Sequence, residues 1–173
     1  MKGISRGNFG LVIVYLVPGF IALWGVSYWS GVVRGWLVPR EGTVIAVIGM
    51  IYAVIAALAA GVAISAVRRL IVDRIHHHLL GVREPKWDFS NLGGVLPAFE
   101  AIVEDQYRYY QIYANTLVAL VATFVVREVK MWRLDVPILV AVVVVAVALL
   151  CASRGCLKRF YQRGSAVLAG KTA

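Results

Sequence analysis

Acidic and basic side chains are missing from four long stretches of this sequence, residues 9–29, 43–67, 109–126 and 136–152. A helix on the surface of a soluble domain keeps one polar face, so long runs without charge are unusual there. About 20 apolar residues cross the roughly 30 Å hydrocarbon layer of a bilayer. We therefore predict an all-α polytopic membrane protein in which these stretches are four transmembrane helices of a single membrane domain, residues 1–173.

The lack of ionisable groups inside the four stretches also bears on function. Proton pumps and ion-coupled carriers use such groups at membrane depth, which argues against a secondary transporter. The sequence also has no nucleophile motif, no zinc-protease motif, no Walker motif and no dinucleotide fingerprint. We predict that the protein is not an enzyme and binds no cofactor.

Residues that could bind metals are few. The two cysteines, Cys151 and Cys156, would lie on different faces of a helix and predict neither a disulfide nor a metal pair. His76, His77 and His78 would point about 100° apart on a helix, so they cannot all bind one ion without unwinding it. We predict no metal site and assign these histidines no role.

Small residues recur at every fourth position of the second stretch. Gly49, Ala53, Ala57, Gly61 and Ser65 would form one stripe along a helix. Such stripes let helix backbones approach closely, which drives helix association in lipid. The stripe predicts close packing, either within one protomer or between protomers. In the first stretch, Pro18-Gly19 predicts a kink.

The distribution of Lys and Arg predicts the orientation. With four spans, thirteen cations lie on the side of both termini and the middle loop, and five lie on the other side. The thirteen are Lys2, Arg6, Arg68, Arg69, Arg74, Arg83, Lys86, Arg108, Arg154, Lys158, Arg159, Arg163 and Lys171. The five are Arg34, Arg40, Arg127, Lys130 and Arg133. The positive-inside rule then places both termini and the loop in the cytoplasm.

The segment between the second and third spans predicts a cytoplasmic helical hairpin. Helical patterning continues past residue 67 to Gly81, a turn-forming loop follows, and Pro97 suits the first turn of a helix that runs unbroken into the third span. We expect Arg68, Arg69 and Trp87 to contact anionic lipid head groups or a partner. Residues 153–173 read as a basic C-terminal tail.

The third helix carries a continuous polar face. Glu100, Glu104, Arg108, Gln111 and Asn115 fall within one arc of about 100°. Glu104 and Arg108 are in the favourable order for an ion pair one helical turn apart. Asn115 lies at membrane depth, where an amide either bonds a neighbouring helix or lines a pore. The five residues are our pore-lining candidates.

In architecture, the chain is similar to small multi-span membrane components of bacterial anti-phage systems. That resemblance implies a bacterial inner-membrane protein that self-associates and opens a pore or recruits a soluble protein on a cytoplasmic cue, and it carries over no functional residues. We expect a homo-oligomeric channel-like or membrane-perturbing effector gated through its loop. The alternative is a membrane anchor that recruits a soluble partner through residues 68–108. The net charge of +9 is assigned to orientation and anionic lipid, without nucleic-acid binding.

Overall fold

The fold is built from helices. A computed structural model describes residues 6–38, 44–90, 92–132 and 134–169, and their side chains except those of 6–9, 11 and 44–46. The helices are α1 (Arg6–Ser27), α2 (Gly31–Leu37), α3 (Val44–Arg74), α4 (Leu92–Ile102), α5 (Arg108–Met131) and α6 (Val136–Leu168). A π-helical segment, Ile75–Leu79, extends α3, and a second, Val103–Tyr107, joins α4 to α5. The all-α prediction is confirmed across these ranges.

Three continuous helical rods are long and apolar enough to cross a membrane. They are Val47–Leu79, Leu92–Met131 and Val136–Leu168; the first covers residues 47–67 of the predicted second span, and the other two contain the predicted third and fourth spans. The first predicted span corresponds to α1, in which Val12–Ser27 forms a shorter apolar helix. Helices of this kind satisfy their own backbone hydrogen bonds and so suit a hydrocarbon environment. The chain has the helices of an integral membrane protein.

Two helix boundaries differ from the prediction. α4 begins at Leu92, so Pro97 lies inside this helix and not in its first turn. An N–H at position 97 would have donated to the carbonyl oxygen of Gly93. Gly93 is exposed at the start of the helix, so Pro97 is tolerated there. α6 continues to Leu168, so most of the predicted C-terminal tail is helical. Thr43, Lys2, Arg40, Arg133 and Lys171, which entered the span and charge predictions, lie outside the described residues.

α6 continues past its apolar run because it acquires a packing face there. Its buried residues recur every three or four positions, and they are Ser153, Leu157, Phe160, Gly164 and Leu168. This spacing keeps them on one side of the helix. The membrane half of α6, in contrast, has mostly exposed side chains. The helix is therefore held to the rest of the chain mainly by its second half.

α1, α3 and α5 pack against one another pairwise and form a three-helix bundle, while α6 packs on α5. Beyond the apolar runs, residues 75–90, 92–107 and 153–169 form a second region, which we call the loop module. Trp87 is at its centre, with ring centroids 5.3–5.9 Å away in four aromatic neighbours, Phe89, Phe99, Phe160 and Tyr161. The indole Nε1 of Trp87 donates a 3.1 Å hydrogen bond to Ser165 Oγ on α6. These contacts fix the loop and α4 onto α6.

The small-residue stripe of α3 is buried within the chain. A Cβ atom added at Gly61 would lie 2.0 Å from the carbonyl oxygen of Tyr15 on α1, and one added at Gly19 would lie 1.7 Å from that of Ala57. Ala53 and Ser65 are buried on the same stripe. The backbones of α1 and α3 are therefore in direct contact, as small-residue packing in lipid allows.

Gly61→Ala should lower the free energy of unfolding by about 1–3 kcal/mol, because the new methyl group meets the α1 backbone and forces the helices apart. Gly49→Ala is the matched control on the same helix. There the added Cβ would be 3.5 Å from Trp36, an ordinary contact, and alanine favours the helix. Unfolding in mixed micelles measures both. Equal stability of the two variants would contradict the close crossing.

Candidate functional site

A buried polar network lies where the apolar run of α3 ends. The side chain of Arg68, the first charged residue after that run, is fully buried. Its Nη1 lies 3.2 Å from Asp73 Oδ1, and its guanidinium lies 5.1 Å from the centre of the Tyr110 ring. The Tyr110 hydroxyl donates a short hydrogen bond to the same Asp73 oxygen. One carboxylate thus binds a buried cation of α3 and a phenol of α5.

The contacts of this network offset part of the cost of burying the Arg68 charge. Moving a charge out of water is costly unless a counter-ion and hydrogen bonds accompany it. Asp73 supplies the counter-ion, and the face of the Tyr110 ring supplies a cation–π contact. Arg68 Nε and Nη2 are buried without a hydrogen-bond partner among the described residues. The Arg68 charge is therefore only partly compensated, and it depends strongly on Asp73.

His76 links α3 to α6 in the same region. Its Nδ1 is 2.9 Å from the carbonyl oxygen of Val72, which can only accept, so Nδ1 carries a proton. Its Nε2 is 3.0 Å from Ser153 Oγ, which also lies 2.9 Å from the Leu150 carbonyl. Neutral His76 accepts from the serine hydroxyl. Protonated His76 donates to Ser153 Oγ, and the serine hydroxyl then donates to Leu150.

The three adjacent histidines have separate surroundings. His76 is enclosed, His77 Nδ1 lies 2.8 Å from the Val82 carbonyl, and His78 is exposed. Within the described part of the chain, no group of three or more His, Cys, Asp or Glu residues is arranged to hold a metal ion. The three histidines therefore have three different environments.

Asn115 replaces a backbone hydrogen bond that Pro18 removes from α1. Proline has no N–H, so Pro18 cannot donate to the carbonyl of Val14, four residues earlier. Asn115 Nδ2 lies 3.3 Å from that Val14 oxygen and donates to it from α5. Asn115 is completely buried. A freed carbonyl at membrane depth is costly, and a neighbouring helix commonly satisfies it.

A second polar residue of α5 makes the same type of contact. The Thr123 hydroxyl donates a 2.7 Å hydrogen bond to the Ile21 carbonyl of α1. A Cβ added at Gly25 would lie 2.9 Å from this hydroxyl oxygen, so the glycine lets the two helices approach. Polar side chains of α5 therefore bind the α1 backbone at two levels.

The five pore-lining candidates differ in their exposure to solvent. Gln111 and Asn115 are buried inside the chain, whereas Glu100 is exposed. Glu104 and Arg108 form a 3.1 Å ion pair beside an open cavity of about 500 Å³ that also reaches Gly10 of α1. The continuous polar face predicted from helical spacing thus divides into an enclosed half and a solvated half.

The three residues predicted to contact lipid or a partner also differ in their exposure. Arg69 is exposed, but Arg68 is enclosed by Asp73 and Tyr110 and does not reach lipid. Trp87 is half-buried in the loop module, where its ring is held by aromatic neighbours. Neighbouring arginines on a helix point about 100° apart, so one can enter the bundle while the next faces outward.

The outer surface of the loop module has an open cavity of about 830 Å³. Its lining includes residues of the loop, the first turn of α4 and the end of α6, among them Lys86, Trp87, Gly94 and Ser165. Asp88 also lines it, and a 2.9 Å hydrogen bond from the backbone N–H of Ser90 lowers the pKa of that carboxyl. The cavity mouth thus has a cation and an anion next to an indole.

Several of these groups were not predicted as site residues. Asp73, Tyr110 and Ser153 come from three different helices, and only the folded chain brings them together. The sequence does contain one usable signal, because an asparagine within one apolar stretch and a proline within another are potential partners. Comparison with protein-family models, with curated proteins and with solved structures gives no match for this chain.

Asn115→Leu should lower the free energy of unfolding by about 1–2 kcal/mol, because it leaves the Val14 carbonyl unbonded. In a Pro18→Ala background the same change should cost less, because residue 18 then donates to Val14 within the helix. Unfolding of the original protein, the two single variants and the double variant in mixed micelles gives the coupling energy between residues 18 and 115. Thr116→Val is the control for replacing a polar side chain of α5. The Thr116 hydroxyl is buried without a hydrogen-bond partner among the described residues, so its removal breaks no hydrogen bond there. Additive losses would argue against the Pro18–Asn115 relation.

Asp73→Asn should be among the most destabilising polar substitutions, costing about 3–5 kcal/mol, because it leaves the Arg68 charge buried without a counter-ion. Tyr110→Phe removes one donor and should cost about 1–2 kcal/mol. Asp105→Asn, an exposed carboxylate of the loop module, is the control and should change stability by less than about 0.5 kcal/mol. The prediction fails if Asp73→Asn is no worse than Asp105→Asn in the same unfolding assay.

Proposed function

We propose that this protein is a four-span membrane anchor that presents the loop module to a soluble protein partner in the cytoplasm. The first crossing is assigned to α1 because this helix packs against both α3 and α5 and contacts the backbone of α3 directly. A helix that packs against two membrane-spanning helices lies at the same membrane depth as they do. The aromatic residues Trp24 and Trp29, near its far end, suit a membrane interface.

The cation distribution supports the orientation. The loop module and the end of α3 carry exposed cations, and these are Arg69, Arg74, Arg83, Lys86, Arg154, Lys158, Arg159 and Arg163. At the opposite ends of the helices the described cations are fewer, and these are Arg34, Arg127 and Lys130. An excess of Lys and Arg beside the spans favours the cytoplasmic face. The module is therefore assigned to the cytoplasm.

The observation that carries the proposal is the internal order of the loop module. A linker between spans needs no core, yet here an indole packs among four aromatic rings and is hydrogen-bonded to α6. The same region has an open cavity of about 830 Å³, and Trp87 lines it. Open cavities with an aromatic wall and a few polar groups are typical of binding sites. A soluble partner that inserts a side chain there fits this surface.

The channel-like homo-oligomer predicted from sequence takes second place. Gln111 and Asn115, the candidates at membrane depth, are enclosed by the bundle, and Asn115 is bonded to α1. The stripe from Ala53 to Ser65 is buried within one chain and gives no surface for a second copy. A pore lined by these residues would require α1 and α5 to separate. The bacterial inner membrane and a role in anti-phage defence stay predictions.

Gly94→Trp should weaken partner capture by at least about tenfold, because the added indole fills the cavity of the loop module. The full chain, in lipid nanodiscs, is used to capture soluble proteins, and the dominant partner is then titrated. Gly155→Trp is the matched control: both glycines have open space around an added Cβ, but Gly155 does not line the cavity.

A channel is tested with the same preparations in planar bilayers. The anchor proposal expects no current from the original protein or from Asn115→Leu. Steady current that changes with Asn115→Leu would favour the channel, and equal partner binding by Gly94→Trp and Gly155→Trp would remove the cavity as the docking site.

A further inference from the structure

A groove between α1 and α3 lies beside the polar network. Its volume is about 370 Å³, and it is lined by Tyr15, Val62, Ser65, Ala66, Arg69 and Leu70. It follows α3 across the point where the apolar run ends and the arginines begin. In a membrane-spanning chain, this is the depth at which acyl chains meet lipid head groups. The groove therefore faces both chemical environments of one leaflet.

The polar end of the groove has two groups suited to an anion. Arg69 is exposed, in contrast to its neighbour Arg68. Asp73 is bonded to Arg68 and Tyr110, so it is already engaged on the enclosed side of α3. A guanidinium at this depth presents several donors to a phosphate.

The second group is the Ser65 hydroxyl. Serine inside a helix commonly donates to the carbonyl four residues earlier, but Ser65 Oγ has no hydrogen-bond partner among the described residues. Ser65 is 5% exposed, and it lines the groove one turn from Arg69. A buried, unbonded hydroxyl is costly, and a ligand oxygen in the groove would satisfy it.

The remaining wall is apolar. Val62, Ala66 and Leu70 lie on the α3 side of the groove, and Tyr15 closes it from α1. Ala66 leaves the middle of the groove open because its side chain is small. A hydrocarbon chain fits this wall, whereas a free inorganic anion gains nothing from it.

We propose that the groove between α1 and α3 binds one anionic phospholipid, with its phosphate at Arg69 and Ser65 and one acyl chain along Ala66 and Val62. This site is separate from the docking cavity of the loop module, and the proposal requires only that the chain is embedded in a membrane. Bound lipid would fill the gap beside the α1–α3 contact and stabilise the bundle.

The test is the thermal stability of the full chain in neutral detergent, with lipid added at matched mole ratios. Dioleoyl phosphatidylglycerol should raise the melting temperature more than dioleoyl phosphatidylcholine does. Sodium phosphate and glycerol phosphate, which lack acyl chains, should give no comparable rise. Native mass spectrometry on the same samples should show one retained phosphatidylglycerol per chain.

Four variants locate the effect. Arg69→Gln should weaken phosphatidylglycerol binding by about fivefold, whereas Arg74→Gln, an exposed arginine that does not line the groove, should keep it. Ala66→Leu should block the acyl chain while leaving both arginines in place. Circular dichroism and size-exclusion profiles select variants that are folded, and Ser65→Ala, a small change within the packed stripe, provides a further folded variant with reduced binding.

Four results would overturn the proposal. Equal stabilisation by the two lipids would remove the preference for an anionic head group. Equal loss in Arg69→Gln and Arg74→Gln would replace the site with general surface attraction. Full binding by Ala66→Leu would place the lipid elsewhere. Stabilisation by phosphate alone would assign the site to a soluble anion.

Discussion

The direct backbone contact between α1 and α3 is the constraint on which the other packing depends. Gly19 and Gly61 each leave room for a carbonyl oxygen of the opposite helix, so the two helices are closer than ordinary side chains permit. Lipid gives helices little hydrophobic reason to associate, and close van der Waals packing replaces that force. α5 then lies along the pair and supplies Asn115 and Thr123 to carbonyls of α1. Pro18 is thus placed where α5 completes the hydrogen bonding of α1.

The buried polar network joins the membrane bundle to the loop module. Asp73 and His76 are on the α3 rod, Tyr110 is on α5, and Ser153 is on α6. Each contact crosses between helices near the level where the apolar runs end. A buried network must satisfy its polar groups together, so it specifies one arrangement of the three rods. The network therefore holds the loop module to the membrane-length helices through directional contacts.

The apolar runs predicted the helices because a charge-free stretch of about 20 residues has few alternatives to a membrane helix. The π-helical continuation through Ile75–Leu79 and the second half of α6 were missed as packed elements. The second half of α6 packs against Trp87 of the loop, and His76 packs against Tyr110 and Ser153, so both depend on contacts set by the tertiary fold. The partner of Asn115 was also beyond a local pattern, because the carbonyl it binds is freed by a proline in another helix. Helical spacing identified the polar face from Glu100 to Asn115, but it could not show which of these residues would be buried.

The membrane half of α6 bears on how the protein is made. Residues 136–152 are all described, and none of them is buried against the rest of the chain. This valine-rich segment is apolar on every side, so it can leave the translocation machinery and enter the lipid without a waiting protein partner. The face from Ser153 to Leu168 follows it in the chain and packs onto Trp87 and Tyr107. In this order of synthesis, the loop module completes its core only after the last apolar run has been made.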